Sequence, residues 1–179
     1  MRLEGEKVFL RRLLASDAGE LLDLRSRNQA FFQPFEPIQP TDHYTLEAQL
    51  AAIELAHVNW EKGLAYGFGI CTTESARLIG RVNLANVVRG AWQNCTIGYF
   101  IDQSQNGQGF MTEAVKLAVR FAFDEAGLHR VQAGVMPYNL RSIRVLEKAG
   151  FRNEGLSKRY LNINGVWEDH LIFARTSEE

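Results

Sequence analysis

Two stretches of the chain hold residue types at spacings suited to binding an anion and working beside it. The first runs Thr96-Ile-Gly-Tyr-Phe-Ile-Asp102, then Gln-Ser-Gln-Asn-Gly107-Gln-Gly109-Phe-Met-Thr-Glu-Ala114. Its first part alternates like a strand. Its last part opens an amphipathic helix over Phe110–Ala126, with Met111, Ala114, Val115, Ala118 and Ala122 on one face and Thr112, Lys116, Arg120 and Asp124 on the other. A helix start leaves several N–H groups unpaired and carries partial positive charge, and glycines let a phosphate approach those groups. A dinucleotide fingerprint would need a third glycine where Thr112 stands, and a Walker A loop would need Lys-Ser/Thr after Gly109, where Phe110-Met111 stands. A pyrophosphate site of another kind, or a plain tight turn, remains. The second stretch is Asn139-Leu-Arg-Ser142-Ile-Arg-Val-Leu-Glu-Lys-Ala-Gly150-Phe151. It places a polar amide and a hydroxyl at the start of a helix that presents Ile143, Leu146 and Ala149 inward and stops at Gly150.

The elements that must hold these residues can be read from periodicity. Lys7–Leu13 reads as a first strand, and Ser16-Asp17 as an N-cap before a helix carrying Ala18, Leu21, Leu22 and Arg25. Phe31–Pro40 holds Pro34, Pro37 and Pro40 and reads as an ordered loop. Thr45–Glu61 returns to helical spacing. Strands follow over Ala65–Thr73, Arg77–Val88 and Asn94–Asp102, with a turn at Arg89-Gly90. Arg130–Val135 is a short strand ended by Met136-Pro137. Asn164-Gly165 joins Leu156–Ile163 to Val166–Arg175 as a hairpin. The order predicts one α/β (α+β) layer structure on a mostly antiparallel sheet, formed by residues 1–179 as a single domain.

Taken together, strand, Gly-x-Gly, helix, strand, Asn-x-x-Ser, helix and Gly-Phe resemble the GNAT family of acetyl-CoA-dependent N-acetyltransferases. Pro34-Phe35-Glu36-Pro37, Asn86-Val-Val-Arg-Gly90, Ile97-Gly98-Tyr99 and Tyr160-Leu-x-Ile-x-Gly165-x-Trp167-x-Asp169-His170 resemble its RimJ/RimL branch, the ribosomal-protein N-terminal acetyltransferases, with the RimJ type the nearer. The resemblance implies a mixed sheet splayed after its fourth strand, with acetyl-CoA in the cleft. The wider family's pyrophosphate pattern is Gln/Arg-x-x-Gly-x-Gly/Ala. Here it is read as Asn106-Gly-Gln-Gly109-Phe-Met111, keeping the middle glycine and differing at both ends.

By this resemblance an amine attacks the thioester directly. The N–H groups of Gly107, Gln108, Gly109, Phe110, Met111 and Thr112 are expected at the pyrophosphate, and Ile97, Tyr99 and Ile101 beside the pantetheine arm, which lies like an added strand. Asn139 is expected to meet a pantetheine amide, although its place also suits a helix cap. Arg141 is a candidate for the nucleotide phosphates, and Arg144 for a solvated face. Ser142 would protonate the leaving thiolate, and a backbone N–H near Tyr99, at a bulge where the sheet splays, would meet the oxyanion. An acidic residue in the tail strand of the RimL-like branch has Leu161 in its place here, so that role does not carry over. Glu36, between two prolines in an apolar setting with Phe35 and Ile38, is the first choice of general base, with Asp169 and His170 second. Glu113 reads as structural. Phe31, Phe32, Phe35 and Tyr160 would wall the acceptor cleft.

Composition bounds the rest. The chain has 179 residues, 46% hydrophobic and 23% charged, which excludes a disordered chain. Lys plus Arg number 20 against 21 Asp plus Glu, a net charge of -1 that argues against a nucleic-acid coat. No apolar run long enough for a membrane span or a signal peptide is visible. Cys71 and Cys95 read as buried thiols of a cytoplasmic protein, and the four histidines lack metal-ligand spacing. The acceptor is expected to be the N-terminal α-amine of a protein, such as a ribosomal protein beginning with alanine. A basic acceptor would call for acidic residues along its groove, Glu36 among them. A small amine (amino acid, polyamine or antibiotic) and a non-catalytic CoA-binding module are the alternatives. Self-association through Thr45–Glu61 stays open.

Overall fold

The structure, a computed structural model, describes residues 1–179. In chain order the elements are β1 (Arg2–Glu4), β2 (Val8–Arg11), α1 (Ala18–Arg27), α2 (Gln29–Phe32), α3 (Leu46–Glu61), β3 (Tyr66–Thr72), β4 (Leu78–Val88), β5 (Asn94–Ile101), α4 (Phe110–Asp124), β6 (Arg130–Val135), α5 (Leu140–Lys148), β7 (Arg152–Ile163) and β8 (Val166–Thr176). All eight strands join one sheet in the order β1-β2-β3-β4-β5-β6-β8-β7. Every neighbouring pair is antiparallel except β5 and β6. No helix is long and apolar enough to cross a membrane.

That parallel pair is where the sheet opens. β5 and β6 share only Asn94↔Arg130, Cys95↔Val131 and Thr96↔Gln132. Beyond Thr96, β5 stays in register with β4 up to Ile101, while β6 pairs with β8 along its whole length. Each strand thus follows a different neighbour, and the sheet twist separates them. The splay that the family resemblance implied, after the fourth strand read from the sequence (here β5), is present. The expected bulge at Tyr99 is not: Tyr99 sits opposite Val82 without a shift, and the irregularity in that ladder falls between Ala85 and Val88, where Asn86 takes a positive φ of 52°.

Side chains alternate across the strands, so each face has its own core. On one face, α4 lays Met111, Ala114, Val115, Ala118 and Ala122 against Ile97, Ile101, Val131, Ala133, Val135 and Phe173. On the other, α1 contributes Ala18, Leu21 and Leu24 to a smaller cluster with Phe9, Leu13, Cys71, Leu78 and Ile53 of α3, and Phe100 packs against it. Cys71 and Cys95 are both buried and unpaired.

Three local readings change. The strand β1 was too short to show as a pattern, and it is held by pairing with β2. The stretch Phe31–Pro40 is not all loop: α2 runs to Phe32, and a 3-10 turn over Gln33–Phe35 takes Pro34 in its first turn, where a missing N–H costs nothing. Asp17 does not cap α1. Its carboxylate turns back to accept from the Leu14 N–H at 2.7 Å and from Arg11 at 2.7 and 2.8 Å. Thr45, by contrast, caps α3 as a threonine should, accepting from the Ala48 N–H at 3.2 Å.

Candidate active site

The opening between β5 and β6 forms a cavity of about 280 Å³. From β5 it is lined by Ile97, Gly98, Tyr99, Phe100 and Ile101, and from β6 by Ala133, Gly134 and Val135. Met111, Asn139, Ser142 and Val145 line it from the α4/α5 side, and Phe31, Phe32, Phe35 and Glu36 from the α1/α2 side. The cavity therefore passes through the sheet and joins its two faces.

On the α4 side, the edge of β5 from Ile97 to Ile101 has no strand partner, which leaves room for an extended ligand to pair with it. At the head of α4, Gly107 and Gly109 have φ of +78° and +82°. Gly109 is itself the N-cap and no side chain caps the helix. None of the six N–H groups from Gly107 to Thr112 donates within the protein. Six free donors at the positive end of a 15-residue helix make an anion cradle. Gly109 precedes the helix and Phe110 and Met111 open it, so the stretch Asn106-Gly-Gln-Gly109-Phe-Met111 forms the loop and first turn at this helix head.

At the head of α5, the Asn139 side-chain Oδ1 accepts from the Ser142 N–H at 3.3 Å, so the cap is real, and its side-chain NH₂ stays free to donate. The Ser142 hydroxyl lies 2.8 Å from the Tyr99 hydroxyl. Burial pushes the Tyr99 phenol well above its ordinary range, outweighing the opposing hydrogen bond from Ser142, so Tyr99 stays protonated. The Tyr99 side chain was missed from sequence, where only its backbone was considered. Its alternation with Gly98 and Phe100, which puts it on the α5 side, was the available signal.

On the opposite face the residues sort differently. Glu36 is not in an apolar setting: both of its oxygens accept from Arg25, at 2.6 and 3.3 Å, and Ile38 is 61% exposed. The Arg25 guanidinium also lies over the rings of Phe100 and Phe32 at 4.8 and 5.2 Å. A carboxylate forked by a buried arginine is engaged in holding the loop. Asp169 accepts from the Arg159 N–H at 2.8 Å and orients backbone. His170 is 3% exposed and lines the cavity. Its Nδ1 lies 3.0 Å from the Glu168 carbonyl, which can only accept, so Nδ1 carries the proton and Nε2 the lone pair. Its ring packs 5.6 Å from Tyr160 and lies against Gly134, on the face away from Tyr99.

Other expectations separate likewise. Arg141 lies over the Phe31 ring at 5.3 Å and lines the cavity from the head of α5. Arg144 is exposed, on a solvated face. Glu36 is the sole acidic residue lining the cavity, so the expected acidic groove is absent there. Glu113 is structural in a specific way, accepting from the N–H groups of Glu6, Lys7 and Val8 at 2.6, 2.9 and 3.0 Å.

Residues 7–152 match the family model of the acetyltransferase (GNAT) domain. The chain belongs to the GNAT acetyltransferase family. It is 50% identical over 172 residues to a probable N-acetyltransferase, YjcK, of Bacillus subtilis, covering 96% of this chain and 95% of that one. It is 34% identical over 179 residues to the [ribosomal protein uS5]-alanine N-acetyltransferase of Escherichia coli, covering 100% and 92%. Among solved structures it resembles Mycobacterium smegmatis RimJ in complex with CoA-disulfide, with a TM-score of 0.90 and 32% identity, covering 96% of this chain and 82% of that one. As a GNAT member the chain is an N-acetyltransferase of the type that includes ribosomal-protein-alanine acetyltransferases.

Proposed function

We propose that residues 1–179 act as one domain that transfers the acetyl group of acetyl-CoA to the N-terminal α-amine of a protein, such as a ribosomal protein beginning with alanine. One observation carries the choice of acceptor. The α1/α2 side of the cavity is walled by Phe31, Phe32 and Phe35, and its one carboxylate, Glu36, is tied to Arg25. A polyamine or aminoglycoside carries several ammonium groups and needs several free carboxylates to replace its water. A small apolar N-terminal residue needs only an apolar niche and a route for one amine. The relatives that act on ribosomal-protein alanine support the same reading.

In the proposed reaction the pyrophosphate rests on the free N–H groups of Gly107–Thr112, and the pantetheine arm extends along Ile97–Ile101 with the Asn139 amide donating to it. An α-amine loses its proton near ~8 in water, so a modest base suffices. His170 Nε2 takes that proton on the acceptor face, with Nδ1 fixed by the Glu168 carbonyl. The amine nitrogen bonds to the thioester carbon, and a backbone N–H of β5 near Tyr99 meets the oxyanion. The C–S bond then breaks, and the thiolate receives a proton from the Tyr99–Ser142 hydroxyl pair on the donor face. Base and acid thus act from opposite sides of the same opening.

The test is thioester turnover with peptides beginning Ala, Ser or Gly, against spermidine, free amino acids and an aminoglycoside. Turnover concentrated in the peptides is expected. Turnover confined to free amines, or to none of the acceptors, refutes the reading. His170→Gln should lower kcat with the peptides by about a hundredfold; if kcat is unchanged, the base lies elsewhere.

A further inference from the structure

The cradle at the head of α4 is not made of backbone alone. A full ammonium stands beside it, supplied from the far end of the sequence. Lys7 Nζ donates to the Gln108 carbonyl at 3.1 Å. It also lies 3.8 Å from the point where a side chain on Gly109 would begin. No ion pair inside the protein engages it. We infer that Lys7 is a phosphate-binding residue of the CoA site, holding its ammonium against the pyrophosphate on the Gly107–Gly109 loop, and that Glu113 is the positioning residue that puts it there. The inference rests on the reading that the donor is acetyl-CoA.

The position of Lys7 is overdetermined. Its N–H donates to the Glu113 carboxylate at 2.9 Å, between the matching bonds from Glu6 and Val8. Its carbonyl accepts from the Thr73 N–H and from the Thr73 hydroxyl, both at 3.0 Å. The Glu6 carbonyl accepts from the same hydroxyl at 3.1 Å. Gly5 completes the arrangement, because a side chain there would begin 2.9 Å from the Glu113 carboxylate. The turn between β1 and β2 is therefore latched to the first turn of α4 and to the end of β3. The electrostatics call for such a group. A helix N-terminus offers about half a positive charge, whereas a pyrophosphate diester carries two negative ones. One ammonium four carbons beyond a fixed backbone narrows that gap, and it does so within a chain whose net charge is -1.

The experiment is calorimetric titration of the full chain with CoA, dephospho-CoA (pyrophosphate kept, 3′-phosphate removed) and pantetheine (no phosphate). Lys7→Ala should weaken CoA and dephospho-CoA by about tenfold each, the scale of one charge-assisted contact, and leave pantetheine within twofold. Lys7→Arg should restore most of the loss, and the gap should narrow in about 0.5 M salt. Lys7→Gln removes the charge but keeps a polar side chain only one atom shorter, for use if the alanine variant folds poorly. Wild-type binding with no loss in Lys7→Ala overturns the inference, as does an equal loss of pantetheine. A loss with CoA but not dephospho-CoA overturns the pyrophosphate assignment. A wild type that binds no CoA fails the acetyl-CoA reading itself, and this inference with it.

Discussion

The Tyr99–Ser142 hydroxyl pair makes the sharpest prediction. The two oxygens are 2.8 Å apart, and burial keeps Tyr99 protonated across any practical assay range. If the pair protonates the departing thiolate, Tyr99→Phe and Ser142→Ala each break the same relay. General acid catalysis contributes about 10² to 10⁴ in rate. A thiol with a pKa near ~8.5 leaves without much help, so the low end applies, about a hundredfold in kcat or about 2.7 kcal/mol. Residues that act as a unit lose their joint contribution once, so the double variant should be no slower than the slower single one. The assay is release of free thiol with a fixed acceptor peptide between about pH 7 and 9.5, with KM for acetyl-CoA followed in parallel. Losses that multiply to about ten-thousandfold would show two independent roles. A single variant within threefold of wild type would remove the pair from the chemistry altogether.

Other outcomes follow from neighbouring geometry. Gly109→Ala places a side chain at φ +82° on the N-cap of α4 and should cost about 1 kcal/mol of stability, with weaker CoA binding by calorimetry. Glu113→Ala leaves three N–H groups without their shared acceptor, and should lower the denaturant-derived stability by about 2 kcal/mol, less than three buried charged bonds because the turn is exposed. Burial pushes the Cys95 thiol up to about 12. Below the ordinary thiol range it is neutral in both states. Above that range the unfolded chain releases a proton that the folded chain keeps, so stability should fall by about 1.4 kcal/mol per pH unit up to about pH 12. Cys95→Ala should flatten that slope in urea titrations. The Arg11 hydrogen bonds hold the Asp17 carboxyl below the usual range, overcoming its burial. Its stabilisation is therefore present at neutral pH and lost as pH falls through that lowered value. Asp17→Asn should remove this acid-side dependence.

The amino-acid order alone was enough for the family and for every strand and α-helix except β1 and α2. The alternation in Asn94–Asp102, the glycines before an amphipathic helix, and the Asn-Gly hairpin turn are local patterns, and local backbone preference enforces them. The N-terminal half of the site was legible for the same reason: free N–H groups follow from any uncapped helix start. What the sequence did not contain was distance. Glu36 looked apolar because its chain neighbours are, yet the fold brings Arg25, 11 residues away, onto both its oxygens. Tyr99 and Ser142 meet across 43 residues, and Lys7 reaches Gln108 across 101. His170 gains a defined tautomer from a carbonyl two residues back, but its place in the cavity comes from β8 pairing with β6. Charge pairing and hydrogen bonding fall off over a few ångströms, so which groups share a site is decided by strand order and by the divergence of β5 and β6 after Thr96. Sequence fixes which donors and acceptors exist, and only the folded sheet decides which face each another.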